Sequence, residues 1–460
     1  MTGRIKLFII VILLLYFNIN NIKAEEALTW EDCVKEAKKN HPDLFSGKEI
    51  VNQTKANKLI TISNILPQIS SDFNQKYSKK DVTVRTDNYP YDTNGDLNQI
   101  DTYSSETSSV GNQKTSKRDI TVRTDTYSYG VNAAQLIFDG FKTVYDIRAS
   151  SKTITAAQSN YEVISSNVRQ RLRTAFVELL RAQEFLNITE DILNRRKQNV
   201  GLVRLRYEAG REHKGSLLTE QANLAQAEID VTLAKRNIDL SQRRLTKELG
   251  RMKLTPIGVE GNFESQYFSR MKPDFEELAE SNPFLQELIA QKEAARLNIK
   301  SAKAVFFPQI HANASIGRMA SYWPPDQDEW SVGVSLSFPL FEGGRRVAEV
   351  SRTKAVFRQV QADERSGRDS IILTLEDAWT NFQDAVDTFE VEKIFLNATQ
   401  ERAKITQALY SNGLVSFDNW TIIEDDLVRS KKSLLVAQAN ALIAEANWIQ
   451  AQGGTLDYEK

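Results

Sequence analysis

From Trp330 the chain alternates: Trp330, Val332, Val334, Leu336, Phe338 and Leu340 are large and apolar, while Ser331, Gly333, Ser335 and Ser337 between them are small or polar. A period of two predicts a strand, and one greasy side with one polar side predicts a sheet between two different environments. The preceding segment repeats the pattern, with Ile310, Ala312, Ala314 and Ile316 against His311, Asn313, Ser315 and Gly317. Two earlier segments carry it more weakly, through Ile69, Phe73 and Tyr77, then Tyr127, Tyr129, Val131 and Ala133. Each segment is about 10 residues long, enough for a tilted strand to cross a bilayer.

Elsewhere the period is helical. All ten prolines fall within 42–90, 256–283 or 308–339. The stretches Lys142–Ala209 and Gly344–Asn412 contain none. A continuous helix of that size is on the order of 100 Å long, too long for a globular core, and predicts a helical shaft. After Gly210, Leu217, Leu224, Val231, Ile238 and Leu245 recur every seven residues, beside the small series Ala227, Ala234 and Ser241. After Gly413 the same period appears in Val428, Leu435, Leu442 and Ile449, beside Ala437, Ala444 and Ala451. Large and small positions in one seam let two helices approach as a coiled coil.

The chain also repeats itself. Pro42 and Pro283, like Pro67 and Pro308, are 241 residues apart, whereas Phe138 and Phe341, like Gly210 and Gly413, are 203 apart. The difference of 38 is the period of a second, shorter repeat: "SKKDVTVRTDNYPY" at 78–91 returns as "SKRDITVRTDTYSY" at 116–129. The first half therefore carries one extra 38-residue unit, a tandem duplication lengthening a hairpin between two strands. Segment 86–118, rich in Asp, Asn, Ser, Thr and Gly, is expected to be a solvated loop, with the two "TVRTD" runs able to pair as a hairpin.

Charge and composition narrow the function. The formal net charge of −1 implies no polyanionic partner. The single cysteine, Cys33, excludes an internal disulfide, and His41, His213 and His311 are far apart, so no metal or cofactor site is expected. Phosphate-loop, HExxH and nucleophile-elbow motifs are absent, so no enzyme is expected. Arg4 and Lys6 precede an apolar run from Leu7 to Phe17, read as a secretory signal ending at Ala24. No later run suits a membrane helix, so insertion must use strands. Four strands cannot close a barrel, and an open edge in lipid leaves backbone groups unpaired, so several copies must contribute to one barrel.

The repeat, "LPQIS" and "FPQIH" opening the strands, "FPLFEGGRR" entering a long helix, and "RYEAG" and "YSNGLVSF" at the helix ends resemble the TolC family of outer-membrane efflux and secretion ducts over essentially the whole mature chain. The resemblance implies a mainly α protein with a membrane β-barrel. Long coiled-coil hairpins form an α-barrel tunnel, and four strands per chain contribute to a trimeric 12-stranded barrel. The expected organisation is a signal peptide at 1–24, a first structural repeat at 25–250, a connecting equatorial region at 251–285 and a second repeat at 286–455. Strands are expected at about 67–85, 119–139, 308–319 and 329–341. Long helices are expected at about 142–209, 214–250, 344–412 and 416–453. The family further implies a homotrimer in the outer membrane, reaching into the periplasm and conducting substrates for an inner-membrane transporter through a periplasmic adaptor, as in multidrug efflux or type I secretion. Acidic residues ring the family's closed periplasmic mouth. Aligned on Gly413, those places fall on Asn419 and Ile422, with Asp418, Glu424, Asp425 and Asp426 nearby, so the gate candidates are Asp418, Asn419, Glu424 and Asp425. Adaptor contacts are expected at the tips: Tyr207, Gly210, Tyr410, Gly413, Leu414, Val415 and Ser416. The competing reading is a periplasmic coiled-coil scaffold or adaptor without a membrane barrel.

Overall fold

The computed structural model describes residues 26–86, 116–263 and 271–457. The expected signal segment and most of the loop inside the duplication, 87–115, lie outside the described residues. Elements follow in the order β1 (Glu26–Leu28), α1 (Trp30–Asn40), α2 (Pro42–Ser63), β2 (Gln68–Thr86), β3 (Ser116–Phe138), α3 (Lys142–Glu208), α4 (Lys214–Glu248), β4 (Ile257–Val259), α5 (Phe275–Ser281), α6 (Pro283–Ala304), β5 (Gln309–Ala320), β6 (Gln327–Ser337), α7 (Arg345–Ser411) and α8 (Phe417–Ala451). The protein is mainly helical, and among the described residues no helix is long and apolar enough to cross a membrane.

The chain divides into two compact units. The strand unit, 60–144 with 301–346, is built on one antiparallel sheet of order β2-β3-β5-β6. Its register brings the four alternating patterns onto common faces. Phe73 pairs with Tyr129, Val131 with Ile316 and Ile316 with Trp330; Ala314 pairs with Ala133 on one side and Val332 on the other. Ile69, Phe73, Ile316, Trp330, Val332, Val334 and Leu336 thus form one exposed apolar face. The opposite face is polar, and on it Ser315 and Ser331 lie 2.8 Å apart while the Asn313 amide donates to Ser335 at 3.2 Å. Gly130 and Gly317 face each other, and a Cβ on Gly317 would stand 2.5 Å from the Tyr129 carbonyl, so only glycine fits there. At one end of the apolar face the Trp323 ring packs edge-on against Phe73 (centroids 5.4 Å apart) and Tyr129 (6.3 Å). Among the described residues β2 and β6 pair on one side only, which leaves the sheet two open edges.

β2 and β3 pair without interruption as far as Thr86 and Ser116, so residues 78–86 of the first copy and all of the second belong to the ladder. Val82 stands opposite Ile120, its own counterpart 38 residues on. In the second half β6 stops at Ser337 although the alternation runs on to Leu340; Pro339 has no N–H to give to a ladder.

The helical unit comprises 26–59, 145–300 and 347–457 of the described chain. Helix starts are fixed locally. Thr29 and Asp32 form a capping box on α1, and Asp274 accepts the first free N–H groups of α5. One core gathers Cys33, Leu44, Leu172, Phe176, Leu179, Leu245, Ile257 and Leu442; a second gathers Phe275, Leu285, Leu375, Trp379, Phe382 and Trp448. Burial pushes the Cys33 thiol up to about 12, so it is an inert core residue. The seam positions Ala227, Val231, Ala234, Ser241 and Leu245 on α4, and Leu435, Ala437, Leu442, Ile449 and Ala451 on α8, are buried.

Candidate functional site

Two helix ends carry the candidate residues. α3 and α7 both finish in a left-handed glycine, Gly210 (φ 70°) and Gly413 (φ 79°). In each turn two N–H groups reach back to the last carbonyls: Arg211 to Arg206 at 2.8 Å and Leu414 to Leu409 at 2.9 Å. A Cβ on Gly413 would meet nothing closer than the Arg206 guanidinium at 3.9 Å, so the conformation, not the space, selects glycine. His213 and Ser416 then cap α4 and α8.

The two ends are tied together by one side chain. Tyr410, fully buried, stacks on Trp420 with centroids 4.3 Å apart and planes within 4°. Its hydroxyl donates to Glu212 at 2.9 Å, and Arg206 covers its ring while donating to its carbonyl at 2.7 Å. Burial, then the bond to Glu212, raises the Tyr410 phenol above its usual range. Burial acts to raise the Glu212 carboxyl too, but hydrogen bonds from Ser216, Tyr410 and the His213 N–H outweigh it and hold the group low. Val203 and Phe417 complete this apolar cluster.

About three turns from the tips, α3 and α8 meet through charges. Arg195 binds Glu424 with both arms of its fork, at 2.6 and 2.7 Å, and Asn199 donates to the same carboxylate at 3.4 Å. That carboxylate in turn keeps the Arg195 guanidinium protonated ever more firmly. Arg196 holds Asp425 on α8 and lies 3.7 Å from Glu220 on α4. Lys431 reaches Asp191, and Lys432 reaches Asp230 at 2.8 Å.

This geometry separates the residues singled out from the sequence. Asp418, Asn419 and Asp425 are exposed, and with Ile422 they fall on successive turns of one α8 face. Glu424, in contrast, is buried and neutralised within its own chain, so it is withdrawn from the gate candidates. At the tips Leu414 (71% exposed) and Tyr207 (39%) face outward with Gly210, Gly413 and Ser416, and Val415 is half-buried. Tyr410 is withdrawn from the adaptor-contact candidates, because its ring is held between Trp420 of its own hairpin and Arg206 of the other, and its hydroxyl is bound to Glu212 of the other. No local pattern in the sequence singles out Arg195, Arg196, Asn199, Glu212 or Trp420. Glu220 does carry a signal, since it lies seven residues before Ala227 on the seam.

Comparison with known proteins fits this architecture. An open-state crystal structure of the Neisseria gonorrhoeae MtrE outer membrane channel superposes with a TM-score of 0.74 at 16% identity, covering 94% of this chain and 90% of that one. The fold is therefore that of an outer-membrane channel. Residues 33–251 and 275–454 match the outer membrane efflux protein family, and the chain belongs to that family. Relatives include the outer membrane efflux protein BepC of Brucella suis, 19% identical over 332 residues (70% of this chain, 72% of the relative). The outer membrane protein TolC of Escherichia coli is 24% identical over 357 residues (70% and 68%). The protein is an outer-membrane efflux protein, and its family's members are channels rather than enzymes.

Proposed function

We propose that this chain forms, as a homotrimer, an outer-membrane channel-tunnel. It conducts substrates delivered by an inner-membrane transporter and a periplasmic adaptor, in multidrug efflux or type I secretion. The observation that carries the reading is the β2-β3-β5-β6 sheet, apolar on one face, polar on the other and open at both edges. In lipid an open edge leaves backbone groups without partners. Three copies joined edge to edge, β6 to β2, give twelve strands with the apolar face to lipid and the polar face to a pore. Residues 25–250 and 286–455 then act as two structural repeats joined by an equatorial region at 251–285.

The tips Tyr207, Gly210, Gly413, Leu414, Val415 and Ser416 take the adaptor contacts. An exposed Leu414 on an otherwise polar turn offers an apolar foothold beside polar groups. The periplasmic gate is assigned to the exposed α8 face that carries Asp418, Asn419 and Asp425. Threefold symmetry would repeat its charges around one opening, where they would favour cations. The duplicated arm, beyond the strands that β5 and β6 cover, lies outside the membrane.

Membrane fractionation with native mass measurement in mild detergent tests the reading. The expected result is recovery in the outer membrane as a particle of three chains. Recovery in the soluble periplasmic fraction would favour the scaffold reading, and a conducting monomer would sink the shared barrel.

A further inference from the structure

Glu220 does not belong where it stands. It occupies the α4 seam position that Ala227, Ala234 and Ser241 fill on later turns, and it is 0% exposed. The equivalent position in the second half, 203 residues on, is the buried apolar Ile423. A buried carboxylate at a seam position is costly unless it is paired.

Its pairing is incomplete. The Asn223 amide donates to Oε1 at 3.1 Å, and Arg196 Nη1 stands 3.7 Å from the same oxygen, beyond hydrogen-bond length. No protein group reaches Oε2. On the facing helices, Arg196 Nη1 and Asn199 Oδ1 from α3, and Trp420 Nε1 and Thr421 Oγ1 from α8, are likewise buried without a protein partner. This mixture of donors and acceptors suits water better than a metal ion. The charges do not balance either. Arg195 is committed to Glu424 through both arms and Arg196 Nη2 to Asp425, so two cations face the three carboxylates of Glu220, Glu424 and Asp425. Nearer the tips, Glu208 and Asp418 are exposed, and Glu212 is bonded to Tyr410 of α7, whose own hydroxyl keeps its proton and whose ring Arg206 covers.

We infer that the seam between α3, α4 and α8 holds a buried, hydrated proton-binding site centred on Glu220. A proton taken from water onto Oε2 removes the excess negative charge and tightens the seam. Burial pushes the Glu220 carboxyl upward, Asp425 and Glu424 push the same way, and the opposing pull of Arg196 and Asn223 does not cancel them. An acid whose folded pKa lies above its unfolded value favours the folded state while it is protonated. The seam should therefore be tightest below the folded pKa and loosen as pH rises through it. The site belongs to the single chain, so it stands or falls independently of the trimer and export reading.

The test is the full-length detergent-solubilised protein and its Glu220→Gln variant, melted between about pH 5.5 and pH 8. Gln keeps the shape and mimics the protonated acid. The parent should lose melting temperature as pH rises, and the variant should melt no lower than the parent at the alkaline end, with a flatter profile. Amide exchange across Arg195–Val203 and Trp420–Leu427 should slow several-fold in the variant at the alkaline end. In an infrared pH titration the stretch of a protonated carboxyl should persist to higher pH in the parent than in Glu220→Gln. A variant that melts lower than the parent at alkaline pH would overturn the proposal, as would a carboxyl stretch that disappears at the same pH in both proteins. If the variant fails to accumulate, the parent and Arg196→Gln decide: losing the last cation contact must move the loosening to higher pH.

Discussion

The three longest helices of the two halves match in length, 22, 67 and 35 residues in each, whereas the strands run to 19 and 23 residues in the first half and 12 and 11 in the second. The contrast shows where the fold tolerates change. One residue added inside a long helix turns everything beyond it by about 100° and takes the seam off its partner. Residues added in pairs at the free end of a hairpin leave every register below them intact, because side chains keep their faces under an even shift. A 38-residue duplication could therefore settle between β2 and β3, but not within α3. A second contrast lies at the tips. Tyr207 and Tyr410 occupy equivalent positions, yet the first is exposed and the second fully buried. The halves share a backbone plan but divide the work of holding the tips together.

Breaking that division should have the largest effect. Trp420→Ala removes the ring on which Tyr410 stacks, and calorimetric melting should show a loss of about 3–5 kcal/mol. Its first-half counterpart, Leu217→Ala, sits in a partly buried site and should cost about 2 kcal/mol. Equal costs would mean the tips are symmetric after all.

Next comes Arg195→Ala, which strands the buried Glu424. A loss of roughly 3 kcal/mol in denaturant unfolding is expected. Parent-like stability in this variant would argue that packing, not charge, joins α3 to α8.

Smaller effects should follow from the turn glycines. Val at Gly413 or Gly210 must adopt a left-handed backbone at a cost of about 1–2 kcal/mol, too little to unfold the chain. Export should fall while the particle stays assembled, and more for Gly413→Val, since its turn also positions the Tyr410 carbonyl that Arg206 grips. Normal export from both variants would reject a role for the tips in coupling.

The smallest effect is reserved for the arm. Deleting 81–118 leaves a single copy of the duplicated run and joins Lys80 to Asp119, opposite strands of a ladder already paired at Lys80 and Val122. The deletion removes only part of the two-stranded arm beyond Tyr127, where β3 stops pairing with β5, so the four-stranded register is kept. Assembly and export should be normal, and failure of barrel assembly would place the arm inside the membrane.

Much of this was legible in the residues. Alternation around Val332 and Ile316 announced two-faced strands, the absence of proline from 142–209 and 344–412 announced the long helices, and Gly210 and Gly413 announced their ends. Those signals are local: a period of two or seven, a missing N–H, a glycine that accepts positive φ. The strand register was not legible, since every even shift keeps all four apolar sets on a common face. Nor were the acids. A helical period tells which residues share a face, but not which face meets a segment about 200 residues away in sequence. Asp418 and Glu424 look alike in the sequence; only the packing of α8 against α3 leaves the first in solvent and gives the second to Arg195. Tyr410 and Glu220 were settled in the same way. The chain itself determined its elements, their lengths and its two-fold plan. Tertiary structure decided which charges are buried and paired, because burial is a property of the facing helix as much as of the residue.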